Sequence, residues 1–195
     1  MFVLTVDQRR SRAAPDGVPE LVALLNDRSG LVLPFERTAG DEVQGLVAEP
    51  TQVTEIILTL LRGSDWWIGL GIGPVEHPAP TSARAGRGPA YVAAREAVQV
   101  AKSVPAGVAV RGHPDALHVQ SALRLLALVV QRRSEPGWEV VDLIRQGLRQ
   151  VDVASRLGIT PQAVSSRLRV AAWPEEQAGR ELVTWLLTLT QEDAA

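Results

Sequence analysis

The spacing of apolar positions divides the chain into a mixed front and a helical back. VLTVD (3–7) is a short apolar run closing on Asp7 and predicts a buried strand. ELVALL (20–25) has helical spacing and stops at the turn cluster NDRSG. LVLPFERT (31–38) and EVQGLVAE (42–49) flank a small-residue turn and predict a hairpin. QVTEIILTLLRG, entered through Pro50 and Thr51, predicts a helix stopped by Gly63. WWIGLGIG (66–73) is an apolar run whose glycines permit close backbone approach, with Trp66 and Trp67 expected to send one ring to each face. A Pro/Gly/Ser loop, HPAPTSARAGRGP (77–89), precedes a helix over 90–103 and a last strand, GVAVRG (107–112). This order of elements predicts a ferredoxin-like core, an antiparallel sheet with helices on one face.

A long helix opened by Pro114 and Asp115 runs through Arg133. Val119, Leu123, Leu126 and Val130 make one apolar stripe, and Leu125, Leu128 and Val129 widen it. A helix apolar on more than one side packs on its own domain and, on this pattern, on a second copy. SEPGW (134–138) reads as a linker, and WEVVDLIRQG (138–147) as a helix. The domains expected are therefore 1–133, including a packing helix over 113–133, and 138–195. Pro174 to Leu189 predicts a final helix with Leu182, Trp185, Leu186 and Leu189 on its buried face, completing a small bundle.

Between these lies LRQVDVASRLGITPQAVSSRLRVAAW (148–173). VDVASRLG predicts a short helix broken by Gly158; Thr160 can cap the next helix, with Pro161 at its first position, where a missing N–H is harmless. Ala154, Leu157, Ile159, Val164 and Leu168 supply the contacts that clamp two crossed helices, which is helix-turn-helix order. The outward face of the second helix is expected to carry Gln162, Ser165, Ser166, Arg167 and Arg169: short polar groups able to approach base edges, and arginines able to reach guanine or phosphate. The blander alternative is a helical hairpin with solvated polar residues. No pair of strands follows Trp173, so the unit is helical throughout.

Composition sharpens this picture in three ways. The chain has 195 residues, 46% of them hydrophobic and 22% charged, as globular proteins do. It has no cysteine, which excludes disulfides and thiolate metal sites, and no apolar run of membrane-spanning length, so a cytoplasmic protein without a membrane partner is expected. The net charge is −2, yet residues 143–172 hold five arginines against the single acid Asp152, a locally basic stretch. His77, His113 and His118 have no metal-ligand spacing and read as surface or capping residues. Asp41 and Glu42, side by side at the hairpin tip, read either as turn chemistry or as part of a divalent-metal site.

Asp7 on a first strand, the RTAGDE hairpin (37–42), the strand IGLGIGPV (68–75) and the helix YVAAREAV (91–98) together resemble the class III nucleotide cyclase catalytic fold. GDEVQGL and GPAYVAAR, with the Gly-x-Gly strand between them, more closely resemble the SatD family, which joins such a domain to a carboxyl-terminal helix-turn-helix. The resemblance spans most of residues 3–112. It implies that Asp7 and Asp41 match the metal-binding aspartates, with Mg²⁺ as the hard cation such carboxylates take, and that Arg95 matches the arginine that stabilises charge on the reacting phosphate. Arg37 stands where cyclases use Lys or Glu to choose the base, Tyr91 where they use Asn, and Arg87 where the SatD pattern has Asp.

The resulting fold class is α+β: a ferredoxin-like, cyclase-type domain followed by an all-α helix-turn-helix domain. The function expected is a DNA-binding transcriptional regulator, homodimeric on double-stranded DNA, whose first domain is a degenerate sensor or dimerisation unit. Arg37 and Arg95 are its candidate nucleotide contacts, and turnover is not expected. Two alternatives stay open: a Mg²⁺-dependent nucleotide enzyme recruited by its helix-turn-helix tail, and a dimeric interaction module that never touches DNA.

Overall fold

The structure is a computed structural model and describes residues 1–11, 13–76 and 81–192; the expectation for His77 lies outside the described residues. Among the described residues it is a mixed α+β chain with a five-stranded sheet and eight α-helices. The front half runs β1 (Phe2–Gln8), α1 (Val18–Asn26), β2 (Leu31–Ala39), β3 (Glu42–Val47), α2 (Pro50–Gly63), β4 (Trp66–Ile72), α3 (Pro89–Ala101) and β5 (Val108–Arg111). The helical half runs α4 (Ala116–Gln131), α5 (Glu135–Arg145), α6 (Gln150–Leu157), α7 (Pro161–Val170) and α8 (Trp173–Glu192).

The sheet order is β2-β3-β1-β4-β5, with antiparallel neighbours except for the parallel β4–β5 pair. β1 lies at the centre, every residue of it buried, because it is apolar or hydrogen-bonded on both faces. Phe2, Leu4 and Val6 point into the main core, where α1, α2 and α4 supply Leu25, Ile56, Ile57 and Leu123. Val3, Thr5 and Asp7 point to the other face, where α3 packs with Ala90, Tyr91 and Ala94. Trp66 joins the first core and Trp67 packs with the second face, as the strand period requires.

The expectation of an antiparallel sheet with helices on one face is therefore corrected: the sheet is mixed and helices cover both faces. Gly69 and Gly71 are the physical reason. A Cβ at either position would run into the backbone of Ala90, Ala94 or Val98, so these two glycines let α3 lie directly on β4. There is a topological consequence. The β3–α2–β4 and β4–α3–β5 crossovers join parallel strands in the same direction along the sheet, yet their helices lie on opposite faces. They are thus of opposite hand, although about 98% of such connections are right-handed. This reversal carries the end of α3 onto the Asp7 face.

Two further differences concern the helical half. Ser134 is the N-cap of α5 and a proline sits in its first turn, so the segment expected as a linker is the start of a helix; Gly137 within it is buried. Pro-Gly reads as linker chemistry, but Ser followed by Pro is equally a helix start. α8 turns inward only part of the face expected, Leu186 packing against the main core. Val183 and Leu187 are buried in the main core, while Leu182 and Trp185 are 47% and 57% exposed. The helix packs against α4 and α2 across the α/β core instead of completing a bundle with α5–α7 alone. No helix among the described residues is long and apolar enough to cross a membrane.

Candidate functional site

The helical half builds a three-helix unit. α6 ends at Gly158, whose φ of 65° is the left-handed cap that a glycine takes without strain. The Ile159 N–H donates to the Ala154 carbonyl at 3.1 Å, closing the turn. Thr160 accepts a hydrogen bond from the Ala163 N–H at 3.1 Å, so the expected cap is present; such a cap contributes about 1 kcal/mol. Val164 and Leu168 of α7 are buried with Val153 and Ala154 of α6 and Val140, Val141 and Leu143 of α5, and Leu157 and Ile159 pack at the edge.

On the opposite side of α7, Gln162, Ser165, Ser166 and Arg169 are exposed and share one helix face. Arg167 does not join them. It is half-buried and paired with Glu139 of α5 at 3.1 Å, because its position is rotated towards α5. Its placement on the outward face is thereby corrected. Two more arginines of the basic stretch are also paired, Arg145 with Glu55 and Arg149 with Asp152, each at 2.9 Å. Among the described residues this leaves Arg156 and Arg169 as the exposed arginines of the stretch without an acidic partner. The positive surface is narrower than the composition of residues 143–172 implies.

The other candidate lies where β1 and the β2–β3 hairpin meet the end of α3. Asp7 is 8% exposed and ion-paired to Lys102, which directly follows α3. Burial pushes the Asp7 carboxyl up, and adjacent Asp41 adds to this against the pull of Lys102. Asp41 is the reverse case. Burial opposes its ionisation, but hydrogen bonds from Ser11 and Asp7, with the Lys102 charge, hold its carboxyl below the usual range. The two carboxyls therefore meet at this end of the sheet, burial shifting Asp7 towards protonation and hydrogen bonds shifting Asp41 towards ionisation. Glu42 is engaged elsewhere: the Thr38 hydroxyl donates to its carboxylate at 2.5 Å, across the hairpin tip.

Lys102 was not singled out from sequence, although a signal existed: it is the lone lysine beside nineteen arginines. Its ammonium is ion-paired to Asp7, and its charge also acts on Asp41. The donor set here is two carboxylates and an ammonium, and no cluster of three metal-ligating side chains occurs among the described residues. Two carboxylates are enough protein ligands for Mg²⁺, but the Lys102 ammonium on Asp7 opposes a second cation there.

The nucleotide candidates are not gathered at this site. Arg37 binds both oxygens of Asp16 at 2.6 Å, and Arg95 is exposed on α3. Neither is hydrogen-bonded or ion-paired to Asp7 or Asp41 among the described residues. Tyr91 is wholly buried in the packing of α3 on the sheet, and Arg87 is exposed in the loop before it.

A third constellation joins the halves. Arg133, its side chain 0% exposed, pairs with Glu176 at 2.5 Å and donates to the Ala171 carbonyl at 2.8 and 3.1 Å. Arg180 bridges Glu176 to Glu55 of α2, and Glu55 also holds Arg145. Trp138 lies between the guanidinium groups of Arg62 and Arg133, at 4.2 and 4.4 Å from its ring centre. Apart from Glu176 and Arg180, one turn apart on α8, these partners are distant in sequence, so only their contacts in the fold reveal them. No protein-family model, no curated protein and no solved structure matches the chain.

Proposed function

We propose that this protein is a DNA-binding transcriptional regulator that reads duplex DNA with α7. The observation that carries the reading is a short, Thr160-capped helix, clamped by α5 and α6, with Gln162, Ser165, Ser166 and Arg169 together on its exposed face. Short polar side chains let a helix approach base edges closely, and Arg169, with Arg156 of α6, offers charge to guanine or phosphate. Arg167 acts in this reading as a strut to Glu139 of α5 and stands apart from that face.

The sheet supports the family likeness as far as topology goes. β1 to β4, in the order β2-β3-β1-β4 with antiparallel neighbours, have the connectivity of a ferredoxin-like unit, and α3–β5 extends it. In this reading the first domain is a cyclase-like unit that has exchanged its metal for Lys102 and serves as scaffold or sensor. The Mg²⁺-dependent enzyme is the weaker alternative, because Lys102 already neutralises Asp7. The test is capture of bound genomic DNA, followed by gel-shift titration of the recovered site. Arg169→Ala should weaken binding by about 1–3 kcal/mol if it reads a base. No enriched site, or equal affinity for the recovered and scrambled duplexes, defeats the reading.

A further inference from the structure

We propose that the outward face of α4 is a homodimer interface, closed by the same helix of a second copy running antiparallel to it. Leu117, Leu125 and Leu128 are 63%, 66% and 46% exposed and, with Ser121 and Arg132, follow one another along one side of the helix. Beside them, between α4 and α8, runs a groove of about 230 Å³ walled by Ala122, Leu125, Val129 and Leu182. Its floor exists because position 179 is glycine: a Cβ there would run into the methyls of Leu126. The stripe and groove adjoin at Leu125, so the exposed leucines are grouped and not singly scattered over the surface.

The order of residues along α4 selects the occupant. Asp115 stands at its amino-terminal end, half-buried, with its carboxylate against the His118 ring nitrogen at 3.2 Å, and Arg132 just past its carboxyl-terminal end, exposed and without an acidic partner among the described residues. An antiparallel copy centred between Ser121 and Leu125 sets Leu117 against Leu128 of the partner subunit. It sets the small Ser121 against Leu125 of the partner subunit, and Asp115 beside Arg132 of the partner subunit. Each contact recurs by symmetry, which is the requirement of a two-fold, isologous interface. The groove beside Leu125 gives that knob a place to seat. Opposite charges at the two ends of an apolar stripe thus complement the same stripe reversed, and a parallel copy would bring like charges together.

The carboxyl end of α4 leads through Arg133 to the Ala171 carbonyl at the end of α7, so pairing α4 also relates the two copies of α7; that consequence alone rests on the DNA reading. The interface is tested without DNA, by light scattering and sedimentation of the full chain at micromolar concentration. The expected mass is twice the 21.0 kDa of one chain. Leu125→Glu should raise the dimer Kd about a hundredfold while leaving the far-UV circular dichroism spectrum unchanged, since the side chain faces outward. Asp115→Arg and Arg132→Asp should each weaken the dimer, and the two together should restore it. A single-chain mass for the wild type overturns the proposal. So does a dimer indifferent to Leu125→Glu, or a double charge swap no tighter than the single ones. Absence of DNA binding in a dimer that passes these tests would defeat the other reading and leave this one standing.

Discussion

Replacing Lys102 by Met removes the only lysine ammonium and leaves Asp7 without its counter-charge, while keeping a stem of similar length. Removing one partner of a fully buried ion pair costs about 3–5 kcal/mol. Asp7 is nearly buried, but the Lys102 side chain is 38% exposed, so water screens part of the attraction; the expected loss is about 1–2 kcal/mol. For a chain of this length that is a fall in Tm of about 3–6 °C at neutral pH.

The pH dependence carries more information than the loss itself. The folded carboxyl of Asp7 is pushed above the ordinary value near 3.8, first by burial and then by Asp41. A raised group adds stability while protonated, below its unfolded value, and that contribution is lost as pH rises through the folded value. Without Lys102 the folded value climbs further, so the variant loses more than wild type between mildly acid and neutral pH. Asp41 has the opposite sense: its stabilising contribution is present above 3.8 and disappears as the solution is acidified. Part of that contribution also comes from Lys102, which again widens the gap at neutral pH. Thermal melts of both proteins should therefore diverge most near pH ~7 and converge towards pH ~4. The variant, its carboxylate pair vacated, should gain a stabilising response to Mg²⁺, about 2.7 kcal/mol at a hundredfold excess over Kd, that wild type lacks. A gap independent of pH would refute the charge reasoning. A wild-type Tm that rises with Mg²⁺ as much as the variant's would show that Lys102 does not hold the cation position.

Thr160→Ala should cost about 1 kcal/mol, seen as faster amide exchange across α6 and α7 with the sheet unaffected; unchanged exchange in α7 would mean the cap is idle. Glu176→Gln leaves the Arg133 guanidinium buried without its charge partner and should cost about 3–5 kcal/mol by urea titration. Arg133→Met combined with Glu176→Leu should cost clearly less than that single change, and simple additivity of the two separate losses would contradict the ion-pair account.

Most elements were legible because their signals are local. The turn at Gly158, the cap at Thr160 and the proline at 161 specify α6 and α7 within a dozen residues, and the stops at NDRSG and Gly63 do the same for α1 and α2. What misled was the choice of partner. The apolar pattern of α8 contains two stripes, and the one with Trp185 looks stronger by size. The smaller stripe of Val183 and Leu187 is buried because α2 and α4 form a trough that receives it. Arg167 shows the same limit on a finer scale: composition counts it as a cation for DNA, whereas three-dimensional proximity assigns it to Glu139. The placement of α3 could have been read from Gly69 and Gly71, which are glycine every second residue on one face of a strand, the pattern of a helix lying directly upon it.

The helices that leave the sheet do not form a detached module. α8 begins beside Ala171, at the end of the helix that faces DNA in the proposed reading, and ends buried against the main core. Between these points Glu176 and Arg180 connect Arg133, at the end of α4, to Glu55 on α2. Arg133 is fully buried with Glu176 as its acidic partner, so loss of Glu176 leaves that guanidinium uncompensated. A movement of α4 relative to α2 must therefore either carry α8 and the end of α7 with it or break the network at a cost of several kcal/mol. This chain of guanidinium and carboxylate groups joins α2 and α4 to the end of α7. Pairing of α4 with a second copy would act on its first link, Arg133.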